Sequence, residues 1–284
     1  MVMLRSIDSR AQAPQPRVVA SFSIVADMAR ELAPTGVAVT ALVGPDADAH
    51  VYEPSPADGK RLAQAHLVLI NGLGFEGWIE RMVKVSGYRG IIAVASHGIA
   101  PRTGGHHDID PHAWQDLTLA RRYAINISTA YAQLWPHQNK EIARKNADYL
   151  ARIDLLDRQV RQWLGAVPRA ERRVITSHDA FGYFGAGYGV DFLAPQGWNT
   201  HSEPSAATVA RLIRQIRKDG VRAIFIENIS DSRLIERIAK EAGARIGGKL
   251  YSDALSAPGG PADTFLKLFE HNASALARAL SARG

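Results

Sequence analysis

The sequence predicts an α/β protein of two similar lobes, each a mostly parallel four-stranded sheet with flanking helices, joined by one long rigid helix. Strand-like apolar runs alternate with helical stretches from Arg17 onward. The stretch from His137 to Leu164 contains neither glycine nor proline, and the alternation starts again after Pro168. With 284 residues the chain is too long for one ordinary core and long enough for two.

The first lobe is predicted from four apolar runs, each followed by a helical stretch that returns the chain to the start of the next strand. This alternation is typical of parallel sheets covered by helices. The predicted strands are Val18–Phe22, Val37–Val43, Leu67–Asn71 and Ile91–Val94. The predicted helices are Ile24–Leu32, Pro56–Ala65, Glu76–Val85 and Asp116–Leu134.

A single long helix is predicted over the stretch from His137 to Leu164. The stretch is rich in alanine, leucine, arginine and glutamate, which are good helix formers. Its apolar residues recur at helical spacing, at Ala147, Leu150, Ile153, Leu156 and Val160. At 1.5 Å per residue such a helix runs about 40 Å, which is enough to reach along both lobes.

The second lobe repeats the pattern of the first. Its predicted strands are Arg173–Thr176, Val190–Leu193, Ala223–Glu227 and Ala244–Leu250, and its predicted helices are Ala180–Phe184, Ser205–Asp219, Ser232–Glu241 and Ala262–Ala282. The predicted organisation is therefore a leader remnant or disordered segment at 1–16, a first lobe at 17–136, the linking helix at 137–166 and a second lobe at 167–284.

Composition narrows the classes of function. Hydrophobic residues make up 46% and charged residues 22%, which is ordinary for a folded domain. The formal charge of +6 raises nucleic acid as a partner, but the basic residues do not cluster, so no nucleic-acid partner is expected. Cysteine is absent, which excludes disulfides and thiolate ligands. A transition-metal site would therefore have to be built from histidine and carboxylate.

Three of the ten histidines and one aspartate stand where an open parallel sheet places its ligands, beyond the carboxyl ends of strands. They are His50, His112, His178 and Asp253. Two come from each predicted lobe, so a shared site would lie in the cleft between the lobes. Three imidazoles and one carboxylate suit Zn²⁺.

Six motifs in order give the chain a family resemblance. They are Asp48-x-His50-x-Tyr52-Glu53-Pro54, Asn71-Gly72-Leu73-Gly74-Phe75-Glu76-x-Trp78, Asp110-Pro111-His112-x-Trp114, Ser177-His178-Asp179-Ala180-Phe181-x-Tyr183-Phe184, Glu203-Pro204-Ser205 and Ser252-Asp253-x-Leu255-Ser256. This pattern resembles the zinc/manganese-specific periplasmic solute-binding proteins of ABC importers, the cluster A-I family. The resemblance covers nearly the whole chain from about Arg17.

The resemblance implies two α/β lobes joined by a rigid helix, and a metal held in the cleft by His50, His112, His178 and Asp253. It implies delivery to an ABC permease from the periplasm, as a monomer whose signal peptide is absent or truncated here. A metallochaperone that loads the metal stays open as a further partner.

Two departures from the family bear on the metal. Many zinc members carry a long loop rich in histidine and acidic residues before the second ligand, whereas this chain has a short one, in which His106 and His107 are candidates for accessory capture. Manganese members often have glutamate at the third ligand position. Here that ligand is His178, which favours zinc over the alternative, manganese.

Carboxylates beside the site are candidates for partners of the second N–H of a bound imidazole, since metal-bound histidines usually have one. The candidates are Glu76, Asp116 and Asp179, with a role at a helix start as the alternative for Asp116 and Asp179.

Two other classes of protein stay in view. A zinc hydrolase would need an open ligand position, which Asp253 closes, and the sequence has no His-Glu-x-x-His motif. A binder of organic iron chelates or cobalamin would need no convergent histidines.

Overall fold

The computed structural model describes residues 15–103, 108–221 and 223–281. Within these residues it confirms the predicted fold class, because two four-stranded parallel sheets are flanked by helices and a long helix lies between them in the chain. We call the first sheet with its helices the N-terminal lobe and the second the C-terminal lobe.

The N-terminal sheet has the order β2-β1-β3-β4, with every pair parallel. Parallel neighbours need crossover connections, and the lobe's helices supply them. The strands are β1 Arg17–Phe22, β2 Ala38–Val43, β3 Leu67–Ile70 and β4 Ile91–Val94. The helices are α1 Ser23–Leu32, α2 Pro56–Ala63, α3 Ile79–Ser86 and α4 Leu117–Leu134. A small antiparallel pair that the sequence did not predict, β5 Arg102–Thr103 and β6 Ile109–Asp110, precedes α4.

The long helix α5 covers Asn139–Gly165, close to the predicted stretch. It packs against α1 and α4 of the N-terminal lobe and against helices of the C-terminal lobe. One face is buried at a spacing of three, four or seven residues, through Ile142, Tyr149, Ile153, Leu156, Val160 and Leu164. These side chains belong to one hydrophobic cluster whose members come from both lobes. The lobes therefore share a core along α5.

The C-terminal sheet has the order β10-β9-β7-β8, again with every pair parallel. Its strands are β7 Arg173–Ile175, β8 Asp191–Leu193, β9 Ala223–Glu227 and β10 Arg245–Leu250. Its helices are α6 Gly182–Tyr188, α7 Ala206–Asp219, α8 Ser232–Ala242 and α9 Phe265–Ser281. Among the described helices, none has both the length and the apolar character that a membrane crossing requires.

Several helices begin later than the sequence predicted, α3 and α6 among them. Helix α3 starts at Ile79 and not at Glu76, because the Glu76 carboxylate accepts the backbone N–H of Asn71 at 2.6 Å and shapes the turn before the helix. Helix α6 runs to Tyr188, where Gly189 ends it in the left-handed conformation at a φ of 70°.

The buried face of α5 predicts unequal effects of two neighbouring truncations. We expect Ile153→Ala to lower the free energy of unfolding by about 2–5 kcal/mol, because Ile153 is fully buried in the shared core. Leu155→Ala is the matched control, since Leu155 is 61% exposed, and should change stability by about 0.5 kcal/mol or less. Denaturant unfolding of the metal-free protein measures both, and equal losses would contradict the packing of α5.

Candidate metal centre

The four residues predicted as ligands come together at one point between the lobes. His50 lies in the loop after β2, His112 follows β6, His178 follows β7, and Asp253 follows β10. One ligand atom from each residue lies within 4.8 Å of all the others. His112, His178 and Asp253 are fully buried, and His50 is 5% exposed.

The Asp253 carboxylate is the centre of the cluster. His178 Nε2 lies 3.0 Å and His50 Nε2 3.2 Å from Asp253 Oδ2, and His112 Nε2 lies 3.6 Å from Oδ1. Among the described residues, none gives these buried atoms a hydrogen bond of acceptable geometry. Buried polar atoms without partners are rare, because each carries a desolvation cost. A cation bound among three imidazole nitrogens and a carboxylate would satisfy them all, so the donor set fits a divalent metal.

The charges of the cluster are strongly coupled. Burial would raise the pKa of Asp253, but His178 and His112 outweigh burial and hold it well below its usual range. Burial would lower the pKa of His112, yet Asp253 and Asp110 raise it to about 8. Burial is likewise outweighed at His178, where Glu227 and Asp253 raise the pKa well above its ordinary value. At His50 burial prevails and lowers the pKa.

Two further carboxylates orient the ligand imidazoles. Asp110 Oδ1 lies 2.8 Å from His112 Nδ1, and Glu227 Oε2 lies 2.6 Å from His178 Nδ1. The other oxygen of Glu227 accepts the backbone N–H groups of Ser177 and His178 at 2.7 and 2.9 Å. Because each Nδ1 faces a carboxylate, each Nε2 is directed at the shared centre. Sequence reasoning missed both residues as imidazole partners.

Two of the carboxylates predicted as imidazole partners have other hydrogen-bond partners. Glu76 accepts from the Ser21 hydroxyl at 2.5 Å as well as from Asn71. Asp116 caps α4 by accepting the Thr118 N–H at 2.7 Å, which is the helix-start role that the sequence left as the alternative. Donors close in sequence or in the same lobe thus occupy these oxygens. For Asp179, burial raises the pKa of the carboxyl and the charge of Asp110 raises it further. His106 and His107, predicted to assist capture, lie outside the described residues.

Aromatic side chains enclose the cluster on the side of the N-terminal lobe. Phe75 meets the His50 ring edge-on at a centroid distance of 4.7 Å, and Trp114 meets the His112 ring at 5.2 Å. The Trp114 indole N–H also donates to the Ser252 carbonyl at 3.0 Å, next to Asp253. This wall excludes water from one side of the ligands and joins the two lobes beside them.

Two α/β lobes with a buried set of three histidines and one aspartate between them define a binding protein for a divalent metal. Comparison with known families makes this specific. The chain belongs to the family described as zinc-uptake complex component A, periplasmic (ZnuA), whose model matches residues 18–279. It is thus a metal-binding substrate-binding protein of ABC importers, and the family's description agrees with the predicted periplasmic location.

The names of individual relatives mention different metals. The chain is 32% identical over 276 residues to the manganese-binding lipoprotein MntA of Bacillus subtilis, covering 94% of this chain and 90% of that protein. It is 31% identical over 275 residues to the zinc-binding protein TroA of Treponema pallidum, covering 94% and 89%. The solved structure of TroA superposes with a TM-score of 0.91 at 29% identity, covering 94% of this chain and all of that one.

The raised pKa values predict that metal and protons compete for the site. The pKa of His112 is about 8, and that of His178 is raised well above its ordinary value, so both imidazoles favour the protonated form that a metal must displace. We therefore expect loading at about pH 7 to release protons, and affinity to fall as the pH is lowered. Calorimetry in buffers of different ionisation enthalpy counts the protons. Binding without proton release would contradict the assignment.

The orienting carboxylates predict which acidic residues matter for affinity. Asp110→Asn and Glu227→Gln should each weaken metal binding by about 10–100-fold, because the imidazole loses the partner that fixes its direction. Asp116→Asn is the matched control, since its side chain caps α4 and does not face an imidazole, and it should leave affinity unchanged. Competition titration with a chelator compares them. A loss confined to Asp116→Asn would reverse the assignment.

Proposed function

We propose that this chain captures one Zn²⁺ in the cleft through His50, His112, His178 and Asp253, and delivers it to an ABC permease for import. The observation that carries the proposal is the convergence of three imidazole nitrogens on one buried carboxylate, with their ligand atoms within 4.8 Å of one another. The metal is cargo, held until the permease receives it. A metallochaperone would be the loading partner if loading is assisted, and the protein acts as a monomer in the periplasm.

Zinc is preferred because of the ligand types. Three imidazoles with one carboxylate make a four-coordinate set that suits Zn²⁺, whereas Mn²⁺ favours oxygen ligands and higher coordination. Manganese is the second candidate, since the chain is 32% identical to a manganese-binding lipoprotein. Position 178 bears most on the choice between zinc and manganese. The imidazole of His178 favours zinc, whereas a glutamate there would add oxygen ligands.

Capture is favoured over catalysis by the number of protein ligands. A catalytic zinc keeps a position open for water, usually with three protein ligands. Here Asp253 is a fourth, buried and equidistant within a few tenths of an ångström from two imidazoles. The relatives named above are likewise binding proteins. The same residues therefore support a zinc-dependent hydrolase less well than a metal-capture protein.

The ligand types predict the outcome of a direct metal competition. Loaded with equimolar zinc and manganese, the wild-type protein should retain zinc at one ion per chain. His178→Glu should narrow the preference for zinc by about tenfold or more, because a carboxylate replaces an imidazole. Elemental analysis after removal of free metal gives the ratio.

The matched control for that competition is His97→Ala, which removes an exposed histidine away from the ligands. It should bind zinc as the wild type does, whereas alanine at His50, His112 or His178 should weaken binding strongly, since a four-coordinate site loses a ligand. Manganese retained by the wild type against equimolar zinc would refute the preference. Ester or peptide hydrolysis by the zinc-loaded protein would refute capture as the sole role.

A further inference from the structure

Two Asp-x-His units supply ligands, and the structure uses them differently. In Asp48-Ala49-His50 and in Asp110-Pro111-His112, the aspartate accepts the backbone N–H of the histidine two residues on, at 2.8 and 3.0 Å. Asp110 then also faces the ring of its own histidine. The second oxygen of Asp48 instead accepts from the Thr200 hydroxyl at 2.5 Å. Thr200 belongs to the C-terminal lobe, so the first unit reaches across the cleft.

A second aspartate ties the same segment to the C-terminal lobe. Residues 44–50, which we call the His50 loop, include Asp46, whose φ of 51° is unusual for a residue other than glycine. The Asp46 N–H donates to the Leu255 carbonyl at 2.8 Å, and its carboxylate accepts from Ala257 N–H at 3.1 Å and from Asn228 Nδ2 at 2.9 Å. Three bonds from the other lobe thus support a conformation that is costly alone.

The bonds of Asp46 reach the segment that carries the fourth ligand. Leu255 and Ala257 follow Asp253 by two and four residues. Asn228 also donates to the Ala254 carbonyl at 3.2 Å. On its other side the His50 loop is held by its own lobe, because the Trp78 indole N–H donates to the Ala49 carbonyl at 2.9 Å. The loop is therefore fastened to both lobes, directly beside a ligand.

We propose that Asp46 and Asp48 are positioning residues that clasp the His50 loop to the C-terminal lobe and thereby set the rate at which the metal leaves. The inference rests on the proposed function and adds what controls the rate of metal release. His50 retains exposure where the other three ligands are fully buried, so its imidazole closes the site. Since α5 lacks an internal hinge and packs into a shared core, opening must come from the loops, and the clasp opposes it.

The first test removes one bond of the clasp and leaves every ligand intact. Thr200→Val keeps the size of the side chain but removes the donor to Asp48. We expect zinc transfer from the loaded protein to excess chelator to speed up by about threefold to tenfold, the range for one ordinary hydrogen bond. The association rate should change little. Thr200→Ser should restore the wild-type release rate because the hydroxyl returns.

The matched control is Thr129→Val, which removes an exposed hydroxyl bonded within α4 to the Ile125 carbonyl. It should release zinc at the wild-type rate. Asp46→Gly removes the two side-chain bonds of Asp46 and keeps its backbone bond to Leu255, while glycine accepts the positive φ without strain. It should also speed release, and the melting temperature of the metal-free form should stay close to that of the wild type.

The outcomes separate the inference from the function on which it rests. Wild-type release rates in both Thr200→Val and Asp46→Gly would overturn the clasp while leaving metal capture intact. Faster release accompanied by an equal loss of stability in the metal-free protein would also overturn it, since the residues would then be structural. A wild-type protein that binds no divalent metal would overturn the proposed function and the clasp with it.

Discussion

The buried carboxylate of Asp253 is the constraint on which the site depends. A carboxylate removed from water is costly unless charge and hydrogen bonds compensate it. The compensation comes from His178 and His112, whose raised pKa values keep them protonated near neutral pH. Two protonated imidazoles carry the same charge as one divalent ion. Loading of an ion that displaces such protons would therefore change the charge of the interior less than the charge of the ion itself.

The surroundings of the cluster keep it assembled in other ways. Phe75 and Trp114 pack edge-on against ligand rings, and Asp110 and Glu227 fix the direction of two imidazoles. A ligand that is already oriented loses little freedom when the ion arrives. The hydrogen bond from the Trp114 indole N–H to the Ser252 carbonyl joins the two lobes. It therefore also holds Asp253 close to the histidines.

The fold and the ligands were predictable because both follow from local patterns. Alternating strands and helices predict parallel sheets, and such sheets collect the loops after their strands at one edge. His50, His112, His178 and Asp253 were all predicted by that rule, although His112 follows the short antiparallel strand β6 and not a strand of the parallel sheet. Asp110 also carried a local signal, because it lies two residues before His112 in the sequence.

Glu227 had no local signal. It ends β9 and reaches His178 because β9 lies beside β7, and that strand order is a long-range property of the sheet. Glu76 and Asp116 were named as candidates for imidazole partners, with a helix-start role as the alternative for Asp116. Their donors Ser21 and Thr118 are recognised only when the turn geometry is known.

The core shared along α5 has a consequence for the lifetime of the chain. Side chains from both lobes belong to one large cluster along α5, while each lobe also has a smaller buried cluster of its own. Opening that separates side chains of the shared cluster therefore disturbs packing in both lobes. Because the stabilisation of the folded state by a ligand grows with the logarithm of its concentration over its dissociation constant, cargo bound between the lobes lowers the population of forms in which the shared cluster is open, and degradation slows. Empty copies would be cleared faster than loaded ones, and the pool of carrier would follow the supply of metal.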